Sequence, residues 1–389
     1  MKLAVFHMLP SGGGCRAVSQ FLGGLAGRFE VTVHLPEGAH GECLPESTDR
    51  ILYPFPASRR LSGLRRLAAP VSLLSRLRQF DGLCRRIAGE INTSADLALV
   101  HNSMVVAAPP ILQYLEVPSA YFCFEYPRHV YEPRLVLRTG SRLSEVLLAP
   151  LASRERRTDR ASVGAADMVI TLSSYMRDRI RSIYGVDPEV VRPGVDGCFY
   201  SPGEPAGAVP GGDYVLSVGA LWPFKGHDLA VKAVGMVPEE SRPGLVVVAD
   251  REYPGYGAVL GEAASGCGTD LDIRTCIGDG DLRDLYRGAR AVLCCAHAEP
   301  YGMVPLEAMA CGCPVVAVGE GGFTDNVVDG KTGIVVPRDG AAFAGAVTAL
   351  MTDDGLRARL SEGGRNFVLG SRTPSAAADG LASLLERLA

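Results

Sequence analysis

The sequence predicts an α/β protein built as two doubly wound, parallel-sheet halves, and three observations carry that expectation. A length of 389 residues exceeds the size at which one hydrophobic core keeps growing. Strand-length apolar runs alternate with helical stretches along most of the chain, the pattern of a parallel sheet covered on both faces. Between the halves, residues 193–213 hold six Gly and four Pro without periodicity, the composition of a linker.

The elements follow in order. Leu3 to Met8 is a first apolar run, broken by Ser11-Gly-Gly-Gly-Cys; Ala17 to Leu25 resumes with helical spacing, and Val31 to Leu35 is a second strand. The same rhythm returns at Leu97–Val100, Ser119–Phe124 and Met168–Thr171. Beyond the linker, strands are expected at Tyr214–Val218, Gly244–Ala249, Leu271–Thr275, Ala291–Cys295, Pro314–Val318 and Gly333–Val336. The tail from Leu356 reads as helices with an Ala/Leu face. The expected division is a first domain over 1–195, a linker over 196–213, a second domain over 214–365, and a C-terminal helix over 366–389 that crosses back to the first domain. Both halves are Rossmann-like, and ligands are expected at the carboxyl edges of their sheets, in a central cleft that the two domains face.

Composition is ordinary for a globular protein, with 47% apolar and 21% charged residues. No apolar run reaches the roughly 18 residues of a membrane span, and the N-terminal strand passes into the glycine loop without a cleavage site, so a cytoplasmic location is expected. The 11 cysteines show no regular spacing and read as reduced, buried thiols. Cys311-Gly-Cys313 lacks a second ligand pair, so no metal site is expected. A net charge of −4 argues against nucleic acid. That charge is uneven: residues 1–190 hold 23 Lys/Arg against 18 Asp/Glu (+5), the remainder 16 against 25 (−9). Within 58–90, Arg59, Arg60, Arg65, Arg66, Arg76, Arg78, Arg85 and Arg86 are interleaved with apolar residues, which reads either as a solvated face over a core or as peripheral contact with a membrane.

The segment from Ala298 to Val318 carries the most chemistry. It reads as loop, short helix and strand, with Pro305 suited to a first helical turn and Gly312 to the C′ position. The N–H groups of Gly302, Met303 and Val304 then point out of a helix N-terminus, where a diphosphate binds. Glu307, one turn in, can accept from vicinal ribose hydroxyls, and Glu299 sits on the loop before it.

The two glutamates bracketing Pro-Tyr-Gly, followed by Ala-Cys-Gly-Cys-Pro-Val-Val-Ala, resemble the signature of the retaining family 4 glycosyltransferases. The resemblance continues through Leu216-Ser-Val-Gly-Ala-Leu-Trp-Pro-Phe-Lys-Gly-His, through Cys276-Ile-Gly-Asp with Leu285-Tyr, and through Gly319-Glu-Gly-Gly and Asp329-Gly-Lys-Thr-Gly. It implies a GT-B fold and transfer of a sugar from a nucleoside diphosphate donor to an acceptor hydroxyl, with retention and without a metal or other cofactor. Lys225, with Gly302, Met303, Val304 and the loop glycines Gly13 and Gly14, would hold the donor diphosphate. Glu307 would bind the ribose, Cys276 and Ile277 the base, and Glu299 would serve catalysis. Antibiotic scaffolds and envelope glycans are the acceptors considered. Ser11-Gly-Gly-Gly lacks G-x-G-x-x-G spacing and Val31–Leu35 ends without an acid, which argues against a dehydrogenase. Asp279-Gly-Asp281 is read as a helix N-cap and not as a metal-binding D-x-D.

Two departures from the family stand out. The arginine it carries five residues before the lysine is Ala220 here, leaving Arg16 or another base to help neutralise a leaving diphosphate. In Tyr121-Phe-Cys-Phe-Glu-Tyr-Pro-Arg, the family histidine that meets the transferred sugar has become Phe124. Glu125, His101 and His129 are the candidates to replace it. Together the departures also motivate an alternative reading, a catalytically impaired sugar-nucleotide-binding homologue or partner subunit.

Overall fold

Alternation along the chain resolves into two parallel sheets in a computed structural model that describes residues 1–10, 12–39, 41, 44–45, 48–56, 69–132, 142–207 and 209–389. One compact unit comprises Met1–Arg192 and Ala377–Ala389, the other Pro193–Ala376.

The first unit's strands are β1 (Lys2–Met8), β2 (Glu30–Pro36), β3 (Asp49–Tyr53), β4 (Leu97–Ser103), β5 (Ser119–Cys123), β6 (Met168–Thr171) and β7 (Glu189–Val190), in the order β3-β2-β1-β4-β5-β6-β7. Its helices are α1 (Gly13–Leu25), α2 (Ala69–Ser94), α3 (Arg128–Tyr131), α4 (Arg142–Ala165) and α5 (Ser174–Tyr184). The apolar runs became the central strands because both faces of those strands are covered. β3 and β7 were not anticipated. β3 is an edge strand exposed at four of its five positions, and β7 has two residues, so neither carries an apolar run.

The second unit orders its strands β10-β9-β8-β11-β12-β13, from β8 (Tyr214–Val218), β9 (Gly244–Ala249), β10 (Leu271–Thr275), β11 (Ala291–Cys294), β12 (Val315–Val318) and β13 (Ile334–Val336). Its helices are α6 (His227–Gly235), α7 (Tyr256–Cys267), α8 (Asp279–Gly288), α9 (Met303–Ala310), α10 (Phe323–Asn326), α11 (Gly340–Thr352) and α12 (Asp354–Ser371). Each sheet reverses strand order once, between β1 and β4 and between β8 and β11. A doubly wound sheet binds its ligand at that reversal, beyond the carboxyl ends of the two strands.

Residues 196–213, expected as a linker, lie in the second unit. Asp284 on α8 accepts the backbone N–H groups of Ala206 (3.0 Å) and Gly207 (2.9 Å), and Arg287 donates to the Ser201 carbonyl (2.8 Å). Glycine and proline marked irregular backbone there, not a tether. The last helix, α13 (Pro374–Leu388), enters the first unit at Ala377. It packs on α1 where Gly24 leaves room for Ala378, and Arg28 faces Asp379 (3.7 Å) and Glu386 (3.8 Å).

Of the arginines between 58 and 90, Arg59, Arg60, Arg65 and Arg66 lie outside the described residues. Three of the others lie over aromatic rings of their own unit: Arg76 over Phe55 (5.0 Å), Arg85 over Tyr114 (4.5 Å) and Arg86 over Tyr53 (5.4 Å). Phe80, Cys84, Ile87 and Ile91 of α2 enter the core. Among the described residues no helix is long and apolar enough to cross a membrane. The expectation of wholly reduced cysteines is corrected at one position, because Cys15 is disulfide-bonded; nine other described cysteines are free thiols.

Candidate active site

In the second unit, the loop after β8 (Gly219–Lys225) and the loop after β11 (Cys295–Gly302) flank the reversal of strand order. Their two charged side chains meet there. Lys225 Nζ donates to Glu299 Oε2 at 2.8 Å, with 26% of the lysine and 19% of the glutamate side chain exposed. The anion that a half-buried lysine requires is therefore supplied by Glu299 itself.

Backbone contacts fix both loops. His297 N–H donates to the Phe224 carbonyl at 2.7 Å. Arg338, just beyond β13, donates to the Cys295 (2.7 Å) and Ala296 (2.8 Å) carbonyls and to Glu320. Asn326, fully buried, donates to the Tyr301 (2.8 Å) and Gly302 (3.3 Å) carbonyls and accepts from Arg372 (3.2 Å). Arg338 and Asn326 left no signal in the sequence, because they act on main-chain carbonyls far away along the chain. Among the described residues, Ala298 (φ 48°) and Cys276 (φ 54°) are the two non-glycine residues in the left-handed region. Both stand on carboxyl-edge loops, where such strain collects around ligand sites.

α9 starts at Met303, as its proline and glycine signals indicated. Gly302 (φ 87°) precedes it without a side-chain cap, so the first-turn N–H groups, including those of Met303 and Val304, lack intrahelical partners. Gly312 follows the helix, its N–H bonded to the Met309 carbonyl at 3.0 Å. Glu307 is 2% exposed and accepts from the Tyr286 hydroxyl at 2.9 Å. Cys276, exposed, and Ile277, half-buried, lie just past β10, with the Cys276 thiol facing the Asp250 carbonyl (3.4 Å). Asp279 and Asp281 occupy the first turn of α8 behind an N-cap at Gly278, which corrects the N-cap reading while keeping its physical sense, carboxylates at the positive end of a helix. Among the described residues no group of three or more His, Cys, Asp or Glu is placed to hold a metal ion.

His227 supports the lysine loop from below. Its Nε2 faces the Gly219 (3.2 Å) and Ala220 (3.3 Å) carbonyls, which only accept, so Nε2 carries the proton and Nδ1 accepts from Ser217 (2.9 Å). Burial lowers its pKa to about 4. His34 in the first unit, beside the Tyr53 hydroxyl at 2.7 Å, is lowered to about 4 by the same cause. A depressed histidine pKa leaves the unfolded chain binding the extra proton first, so stability is full above about pH 6.5 and is lost as pH falls toward 4. His227 alone is expected to remove about 2 kcal/mol between pH 7.5 and pH 5. Urea midpoints at the two pH values check this; His227→Gln, which keeps a donor and an acceptor, should lessen the dependence by about that amount and leave the share of His34.

In the first unit, Gly13 and Gly14 open α1 after β1, with Arg16 half-buried in the same turn. A Cβ on Gly14 would lie 3.3 Å from the Phe124 ring, so Phe124 covers the glycine turn. His101, expected at the carboxyl edge, is instead fully buried, because β4 is a central strand covered on both faces. It stacks on Phe122 (5.4 Å) and meets Phe124 edge-on (5.0 Å), and burial holds its pKa well below the ordinary value. Glu125 is half exposed, 2.6 Å from Arg128 Nε. His129 Nε2 lies 2.9 Å from Glu155, whose hydrogen bond raises the histidine pKa. Asn102, not singled out in the sequence, accepts the Phe124 N–H (2.7 Å) and donates to the Glu125 carbonyl (2.7 Å), anchoring the segment that carries both candidates.

The family profile described as "Glycosyl transferases group 1" matches residues 204–367, and that described as "Glycosyltransferase Family 4" matches residues 11–197. The chain belongs to the family 4 glycosyltransferases. The first family match contains Lys225, Cys276, Ile277, Glu299, Gly302 and Glu307; the second contains Gly13, Gly14, His101 and Glu125. The D-inositol 3-phosphate glycosyltransferase of Acidothermus cellulolyticus is 34% identical over 223 residues, covering 52% of this chain and 49% of its own length. The chain spans about half the length of the curated relatives it matches. Among solved structures, HepE from Anabaena in complex with UDP-glucose superposes with a TM-score of 0.73 at 17% identity, over all of both chains. Sucrose-phosphate synthase from Thermosynechococcus elongatus does so with 0.76 at 18%, over 100% of this chain and 99% of that one. These two share the fold, two parallel-sheet α/β domains of the GT-B class.

Proposed function

We propose that this chain is a glycosyltransferase that moves a sugar from a nucleoside diphosphate donor to an acceptor hydroxyl, with retention and without a metal. The observation that carries the reading is the Lys225–Glu299 pair at the strand-order reversal of the second unit, in the same unit as the uncapped N-terminus of α9 and the buried Glu307 carboxylate. A departing diphosphate needs positive charge fixed before the reaction begins, and a lysine held by a carboxylate together with helix N–H groups supplies it. Retention comes from the family resemblance. It fits a front-face displacement in which the diphosphate takes the acceptor proton, because Glu299 is held by Lys225 and not poised as an attacking nucleophile. The UDP-glucose complex of HepE makes uridine the first base to try. The names of the curated relatives put a phosphorylated cyclitol beside natural-product scaffolds and envelope glycans among the acceptors.

A second reading, a binding homologue without transfer, is favoured by Phe124 packed over the glycine turn and by Ala220 in place of a cation. Calorimetric titration with UDP, GDP, ADP and their glucose and mannose conjugates, followed by a product assay with each acceptor class, separates the two. Transfer with any acceptor establishes the enzyme. Binding abolished by Glu307→Ala but without turnover establishes the homologue, and no binding at all would sink both.

A further inference from the structure

Tyr286 is a fully buried tyrosine whose hydroxyl ends on the Glu307 carboxylate, 2.9 Å from Oε2. A carboxylate only accepts, so the phenol is the donor. The ring is held by its place on α8 and by an edge-on contact with Tyr200 at 6.2 Å. A tyrosine that merely filled this space would be replaceable by phenylalanine without loss; a buried hydroxyl is retained where it has a partner to serve. α8 begins two residues after Ile277, so the element that follows the base segment also carries the group that grips the ribose carboxylate.

We propose that Tyr286 is the positioning residue for ribose recognition: by fixing one oxygen of Glu307 it sets the plane of the carboxylate, and it thereby determines preference for ribo- over 2′-deoxyribonucleotides. The inference rests on the reading of Glu307 as the ribose acceptor. A diol is gripped by a carboxylate only when the carboxylate plane matches the two hydroxyls, and a side chain free to rotate satisfies one of them at a time. Removing the hydroxyl takes that hydrogen bond away from Glu307 while leaving the charge, the helix and the ring packing in place.

The test is calorimetric titration of the full chain with UDP, GDP and the 2′-deoxy form of each, on the wild type and on Tyr286→Phe, Tyr286→His and Glu307→Gln. In Tyr286→Phe, affinity for the ribonucleotide should fall roughly tenfold and that for the deoxynucleotide by less than about threefold, so that the ratio between them collapses. Tyr286→His, which returns an N–H donor, should restore part of the ratio. General damage to the fold would lower both affinities together. A Tyr286→Phe ratio equal to that of the wild type, with Glu307→Gln collapsing it, overturns the positioning role and leaves the ribose reading standing. A ratio untouched by Glu307→Gln overturns the ribose reading and this inference with it.

Discussion

Lys225→Met is expected to weaken nucleoside diphosphate binding by roughly a hundredfold and to lower transfer at saturating donor by about a thousandfold. Two losses combine. The ammonium no longer faces the diphosphate, and Glu299 loses the cation at 2.8 Å, which leaves its charge less compensated beside a dianionic ligand. Two unit charges 4 Å apart near a protein surface, at an effective dielectric of about 20, interact by about 4 kcal/mol, so repulsion of this kind is as large as the lost attraction. The combination predicts a sign that neither loss gives alone: Lys225→Met with Glu299→Gln should bind the diphosphate more tightly than Lys225→Met, because the repulsion has gone. Titration of UDP into the two single variants and the double variant measures the coupling. Affinity of Lys225→Met within threefold of the wild type would remove the lysine from the donor site.

That pair shows what was legible in the chain and what was not. Lys225 and Glu299 stand 74 residues apart, and resemblance to the family is what singled each of them out; that they touch each other follows only from β8 and β11 being neighbours. Both sheets were readable from buried strands such as Tyr214–Val218, because burial on two faces demands an uninterrupted apolar run. The exposed edge strand β3 demanded nothing and left no trace. His101 misled for the same reason: an imidazole in a buried strand and one at its edge are the same letter, and burial decides between packing and chemistry. The hydrogen bonds made by Arg338, Asn326 and Asn102 were invisible because main-chain carbonyls carry no side-chain identity.

Gly226→Ala is expected to abolish donor binding and to cost more than about 3 kcal/mol of stability. Gly226 (φ 73°) ends the short turn that carries Lys225 and begins α6, and a Cβ there would lie 2.2 Å from the Cys295 carbonyl oxygen and 2.8 Å from its carbon. The obstacle is backbone at the end of a central strand, which cannot rotate away as a side chain would. The loop after β8 would have to lift from the loop after β11 by about 1 Å to reach ordinary contact, and the Lys225–Glu299 hydrogen bond spans those two loops. Gly185→Ala isolates the strain of the backbone alone: Gly185 has φ 77° and open space around the position of a Cβ. It should lose only about 1–2 kcal/mol and leave donor affinity unchanged. Denaturant titrations and UDP calorimetry on both variants give the comparison. If Gly226→Ala cost no more than Gly185→Ala and still bound UDP, close approach of the two loops would not be what holds the charged pair together.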